Sequence, residues 1–399
     1  MDSFSTASTY LGFDLLNKPR KRTDGNILFS PVGISTTIGM ILMGSRGITA
    51  SQLQEVFCSE EDTESSGIKA EEEHIIEKTE EINHLFQKFL TGISKLTDDY
   101  GLNITNRLFA EKTYLFLQKY LDYVEKYYHA SLEPVDFMNA ADESRNKINS
   151  WVESQTQEST KDLFPDGSLS SLTKLVLMNT IYFKGQWDRK FKKENTKEEA
   201  FWLNKSTSRS VLMMTLKHSF SFTFLEDLQA KIVGIPYKNN DLSLFVLLPN
   251  DIDGLEEIID KISPEQLVEW TSPGHMEKRS VHLHVPRLEV EDSYFLEDVL
   301  ADMAMGNNFG ECQANCLEMS PRSSLQAQKI LHRCCIALTE EGTEAAAATG
   351  IDFNDASAPG DDATSDPRDE NVCCDHPFLF FIRHNESKNV LFFGRFSSP

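Results

Sequence analysis

Long apolar runs are missing from this chain. The longest, Leu242 to Leu248, is strand-sized and interrupted by Ser243. A membrane helix needs about 20 such residues, so no span is expected. The N-terminus, Met1-Asp2-Ser3-Phe4-Ser5-Thr6, has neither a basic region nor an apolar one, which argues against an ordinary signal peptide. Positive charge is also scarce. Lys and Arg total 39 against 62 Asp and Glu, giving 39 − 62 = −23. Phosphate backbones and anionic membranes repel such a chain, so neither nucleic acid nor membrane is expected as a partner. The local exception is Lys18, Arg20, Lys21 and Arg22 around Pro19. It reads as a solvated loop after a first helix, with a nuclear-import patch as the alternative.

Cysteine is sparse and poorly arranged for disulfides. The seven are Cys58, Cys312, Cys316, Cys334, Cys335, Cys373 and Cys374, an odd number with two adjacent pairs. Free thiols in a reducing compartment fit this better. Recognisable catalytic frames are absent: no G-x-S-x-G, no H-E-x-x-H, no Gly-rich phosphate loop. Neither a cofactor nor turnover is expected. The best metal candidate is His282 with His284, two residues apart on one polar strand face. No carboxylate or Cys sits at ligand spacing in the sequence, so no metal is expected either. Internal repeats and linkers are lacking too, and the 399 residues read as one domain.

What is present is a large apolar inventory, with 40% hydrophobic residues and 26 Phe, enough for a globular core. Asn26 to Pro31 reads as a short buried strand ending in a turn, and Ile34 to Met43 as a helix buried nearly all round. Residues 60–81 carry ten acids and two Lys; they begin as a loop and grade into a helix with Ile82, Leu85, Phe86, Phe89 and Leu90 on one face. Leu175 to Met178 and Leu244 to Leu248 are continuous apolar strands, as in a sheet covered on both faces. Val281 to Val285 alternates with period two. Phe378 to Ile382 and Val390 to Phe393 are strands joined by a turn at Asn385-Glu386-Ser387. Strands outnumber regular βαβ units, so the fold class is α+β.

One segment has two natures. Glu340 to Gly350 contains four consecutive Ala, and residues 352–371 are polar, acidic and broken by Pro359, Gly360 and Pro367, as in an exposed loop. Yet Thr343, Ala345, Ala347, Thr349, Ile351 and Phe353 alternate with Glu344, Ala346, Ala348, Gly350, Asp352 and Asn354. The first set is apolar or Thr and the second small or polar, which is a strand with one buried face. A segment able to be loop or buried strand is bistable, and insertion would release stored free energy.

These residues carry a family resemblance. Glu340 to Thr349 resembles the hinge of inhibitory serpins, and Asp375 to Ile382 that family's C-terminal signature. Ile148-Asn149-Ser150-Trp151-Val152 with Thr156 is similar to the helix crossing the main sheet, and Asn179 to Trp187 to that sheet's third strand. Asn26 to Gly44 resembles the helix B region. The likeness runs to Pro399 in the family's order, and the acidic loop near residue 60 points to the intracellular, ovalbumin-type branch. Residues 103–143 and 162–187 carry a closer likeness to one member of that branch.

The resemblance implies a fold of three β-sheets surrounded by about nine helices, with an exposed reactive-centre loop. The loop and hinge fall at 340–375. It implies a suicide substrate: a protease attacks the loop, forms an acyl-enzyme and is dragged across the sheet before deacylation. The family's spacing places the scissile bond at Ala356–Ser357, with Gly342 and Thr343 as pivot and Glu340, Glu341, Glu344 and Ala345 through Thr349 completing the hinge. Ser30, Asn179, His332 and Trp187 are the implied residues beneath the opening strands. Gly33 stands where most members have Ser, which predicts one hydrogen bond fewer there, and Cys334 and Cys335 replace an apolar pair. The implied partner is a serine protease, elastase-like for Ala356, or a papain-like cysteine protease; a bond at Asp355–Ala356 would suit an Asp-specific enzyme. A monomer in the cytoplasm is expected, with nuclear entry or release without a signal peptide as alternatives. The competing function is a non-inhibitory serpin with a binding, chaperone or structural role, kept open by the long acidic stretch after the scissile bond.

Overall fold

A computed structural model describes residues 3–17, 25–45, 50–51, 53–54, 57, 68–96, 101–156, 162–296, 328–341 and 368–399. The chain divides into two compact units. The first comprises residues 1–184, 289–336 and 383–394, and the second residues 185–288, 337–382 and 395–399.

In the first unit, helix α1 (Ser3–Asn17) precedes the buried strand β1 (Ile27–Phe29) and helix α2 (Pro31–Met43). Ser30 caps α2 by accepting from the Gly33 N–H, and Pro31 supplies a preset first turn. Every residue from Pro31 to Leu42 is buried, as the small-residue apolar pattern predicts. Helix α3 (Ile68–Ser94) turns Ile82, Phe86, Phe89 and Leu90 inward. Strand β2 (Leu102–Glu111), helix α4 (Gln118–Tyr128), strand β3 (Ser131–Val135), helix α5 (Phe137–Gln155) and strand β4 (Leu175–Phe183) follow.

All nine residues of β4 are buried, because helices cover both faces of its sheet. One face packs under α5, where Phe137, Ile148 and Val152 meet Phe109, Val176, Met178 and Leu331. The order is β10-β11-β4-β2-β3, with β10 (Leu288–Phe295) and β11 (Gln328–Leu338) arriving late in the chain. β11 pairs with β4 in parallel, unbroken from Gln328↔Leu175 to Ile336↔Phe183.

The second unit holds β5 (Lys197–Asn204), β6 (Thr207–Leu225), β7 (Ala230–Pro236), β8 (Leu242–Pro249), helices α6 (Leu255–Lys261) and α7 (Pro264–Trp270), β9 (Glu277–Pro286) and β12 (Glu370–Cys373). Strands β13 (Phe378–His384) and β14 (Val390–Phe396) end the chain. Val281, Leu283 and Val285 are buried while His282 is exposed, as the alternation requires. Three sheets are expected from the family resemblance; among the described residues the strands link into two hydrogen-bonded networks. The reason is β6: its 19 residues pair with β5 over 207–213, with β9 over 213–222 and with β7 over 221–225, fusing two layers into one path. Seven α-helices lie among the described residues. Lys18 to Arg22, the acidic start at 60–67, Cys58, Cys312 and Cys316 lie outside them.

Candidate functional site

The residues singled out from sequence fall into two groups, one in each unit. The first forms because register aligns three polar residues across an apolar sheet. Asn106 stands opposite Asn179, and Asn179 opposite His332. Their side chains face α2 and make a chain of hydrogen bonds. Asn179 donates from Nδ2 to Asn106 Oδ1 at 2.7 Å, and Asn106 donates to the Tyr128 carbonyl at 3.2 Å. His332 Nδ1 lies 2.7 Å from Asn179 Oδ1, and Nε2 lies 3.0 Å from the Ser30 backbone nitrogen. The Ser30 N–H is a donor only, so Nε2 must accept, and the proton is on Nδ1. The ring is neutral, fully buried, and stacked on Tyr294 at 6.5 Å. Burial pushes its pKa down to about 3.

Gly33 completes this cluster by having no side chain. A Cβ there would stand 2.4 Å from Asn179 Oδ1 and 2.9 Å from His332 Cε1. The direct Asn179–His332 bond occupies the space a Ser hydroxyl would need. Ser30 serves twice, its N–H to His332 and its hydroxyl to the Gly33 N–H. Asn106 was not singled out from sequence. Its signal is an Asn inside an otherwise strand-like run, but only pairing register shows what it faces. Cys334 and Cys335 are buried thiols outside any disulfide, and Cys334 Sγ donates to the Leu28 carbonyl at 3.2 Å.

The second group grips the chain as it leaves β11. The Trp187 indole N–H donates to the Thr339 carbonyl at 2.7 Å, its backbone N–H to the Glu341 carbonyl at 3.1 Å, and the Phe191 N–H to the Glu340 carbonyl at 3.1 Å. Trp187 stacks on Tyr237 at 4.3 Å, which fixes the indole. The Glu340 carboxylate is buried, accepting from the Thr196 hydroxyl at 2.9 Å with Arg287 Nε at 3.9 Å. Thr196 and Arg287 carry no sequence signal, because a single Thr or Arg is common on any surface. Gly342 through Thr349, and Ala356 with Ser357, lie outside the described residues.

His282 and His284 have ring centroids 4.6 Å apart, and burial lowers the His284 pKa. Among the described residues no three His, Cys or carboxylate groups are placed to hold a metal ion. No helix of those residues is long and apolar enough to cross a membrane.

Comparison with known proteins agrees with this architecture. A family model described as Serpin (serine protease inhibitor) matches residues 6–399. The chain is 73% identical over 399 residues to Serpin B13 of Homo sapiens, also called headpin or hurpin, covering all of both. It is 39% identical over 404 residues to the leukocyte elastase inhibitor of Equus caballus, again covering all of both. Among solved structures, uncleaved ovalbumin superposes with a TM-score of 0.83 at 31% identity, covering all of both chains. The chain therefore belongs to the serpin family, in its ovalbumin-type branch.

Proposed function

We propose that the chain inhibits proteases as a suicide substrate, by cleavage of its reactive-centre loop and insertion of that loop into the main β-sheet. The observation that carries this is the β4–β11 pair. Two parallel central strands run side by side, and the segment following β11 has its own one-faced strand pattern from Thr343 to Phe353. A chain that turns back at Gly342 and Thr343 would run antiparallel to both neighbours. It would exchange one parallel ladder for two antiparallel ones, and antiparallel pairing is slightly more stable per residue. Those eleven positions equal the eleven residues of β11. Ala345 to Ala348 are small enough to pass between strands without displacing packed side chains.

In this reading the two units act as one serpin domain over 1–399, with hinge and loop at 340–375. The Trp187 contacts hold the hinge base, and the Ser30, Asn179 and His332 cluster holds the two strands closed. Scission occurs at Ala356–Ser357, and the chain performs no turnover of its own. The target is a serine protease or a papain-like cysteine protease, met by a cytoplasmic monomer. Inhibitor names among the relatives support this.

The test is thermal unfolding before and after a single cut near Ala356. Insertion of about ten residues as a central strand should add several kcal/mol, raising Tm by about 10 °C or more. An SDS-resistant complex with a serine or cysteine protease should then form. An unchanged Tm after scission would sink the inhibitory reading in favour of a binding or structural role.

A further inference from the structure

The segment that holds Glu340, Glu341 and Asp375 carries an unusual local charge. Arg189, Lys190, Lys192 and Lys193 fill four of the five positions from 189 to 193, in a chain of net charge −23, and Lys197 follows. The fifth position, Phe191, is buried, and it packs edge-on against Trp187 at 5.8 Å. That anchor turns Arg189, Lys192, Lys193 and Lys197 out to solvent, where all four are exposed. None of these four takes part in an ion pair among the described residues.

The placement is as informative as the charge. The same stretch of chain holds both ends of the loop. At one end Trp187 and Phe191 donate to the Glu341 and Glu340 carbonyls. At the other the Trp202 N–H donates to the Asp375 carbonyl at 2.7 Å. The cations lie in sequence between these two grips. The segment is pinned at Asn195 as well, its carbonyl accepting from the Thr215 hydroxyl at 3.3 Å. The cations thus sit on backbone tied down at both ends and in the middle.

We infer that the cationic segment Arg189 to Lys197 is a docking surface for an acidic rim on the protease that attacks the loop. This rests on the inhibitory reading above. A protease bound at Ala356–Ser357 is tethered by both loop ends to the segment that carries the charge. Complementary charge there raises the encounter rate and orients the approach. A linear polyanion fits less well. Asp188, Glu194, Glu198 and Glu199 flank or interrupt the cations, so a long anionic polymer would run onto repulsive surface. A compact acidic rim matches four or five cations without that penalty.

The experiment uses the intact full-length chain and measures the second-order rate at which it is consumed. The probes are a papain-like cysteine protease with an acidic active-site rim and an elastase-like serine protease with a basic one. Lys192→Glu/Lys193→Glu is compared with wild type and with Lys119→Glu/Lys126→Glu, which changes net charge equally at exposed sites on α4. Thermal unfolding checks that each variant folds. At low salt the 192/193 variant should be consumed by the acidic-rimmed protease about tenfold more slowly, and the gap should close at about 0.5 M salt. The 119/126 variant should match wild type, and the basic-rimmed protease should not be slowed. Equal low-salt rates for wild type and the 192/193 variant overturn the inference, as does an equal loss in both variants. Heparin binding that disappears in the 192/193 variant while its consumption rates stay at wild type also overturns it, assigning the surface to polyanions. The partition of consumed chain between covalent complex and cleaved product is scored separately. A chain that is only cleaved refutes the inhibitory reading, whereas the rates alone decide the docking surface.

Discussion

His332 is a buried base whose two nitrogens are both committed. Nδ1–H donates to Asn179 Oδ1, and Nε2 accepts from the Ser30 N–H, so protonation must break the second bond and charge a fully buried site. The neutral form is favoured in the folded chain, with a pKa of about 3 against an ordinary 6.5. The unfolded chain thus takes up this proton near pH 6.5 and the folded chain only near pH 3. The stabilisation is complete above 6.5 and is lost as pH falls through that window, by up to about 1.4 kcal/mol per unit. Wild type should lose more stability between pH 7 and pH 5 than His332→Gln, whose neutral side chain does not titrate there. Denaturant unfolding at the two pH values reads the difference, and equal losses would contradict it. Gly33 belongs to the same cluster by occupying no space, since a side chain there would meet Asn179 and His332.

At the scale of elements, α5 covers one face of its sheet, and one of its side chains secures the turn at Phe164. Asn149 Oδ1 accepts from the Phe164 N–H at 2.9 Å, and its Nδ2 donates to the Phe164 carbonyl at 3.0 Å. Arg145 also donates to that carbonyl, so it keeps a partner if Asn149 is lost; the buried N–H does not. Asn149→Leu should therefore cost about 1–3 kcal/mol, and amide exchange near Phe164 should quicken. Unchanged exchange there would show that the turn is held by something else. Helices and strands of this kind were readable in advance where burial is one-sided or total: α2, β4, β8 and β9 all follow their sequence patterns. The continuity of β6 was not readable, because its partners change along its length while its own pattern does not.

For the whole molecule, the proposed insertion makes trapping depend on how much tether would remain once the sheet is full. Ala356 lies three residues beyond Phe353, the last alternating position, so on that proposal a protease held there would be drawn against the body. Arg368 lies fifteen residues beyond it. On the same proposal a protease acylated at Arg368 would keep a long slack tail, with its active site unstrained. Cleavage by an Arg-specific protease at that bond should give a cut chain and free enzyme. A stable covalent complex at Arg368, seen by SDS gel and mass spectrometry, would refute this.

The sequence by itself determined the α+β class, the family, and the strand-like alternation from Thr343 to Phe353. Each depends on order along the chain: periodicity, spacing and contiguous motifs. Tertiary structure alone decided which distant residues meet. Ser30 reaches His332 across 302 positions because strand register, a property of the folded sheet, sets their separation. Asn106 joins them by pairing opposite Asn179. The cations at 189–193 were as plain in the sequence as any other charges. That their segment is tied to Glu340, Glu341 and Asp375 follows only from the hydrogen bonds of Trp187, Phe191 and Trp202. Local pattern fixes what a segment can become, and long-range contacts fix what it stands beside.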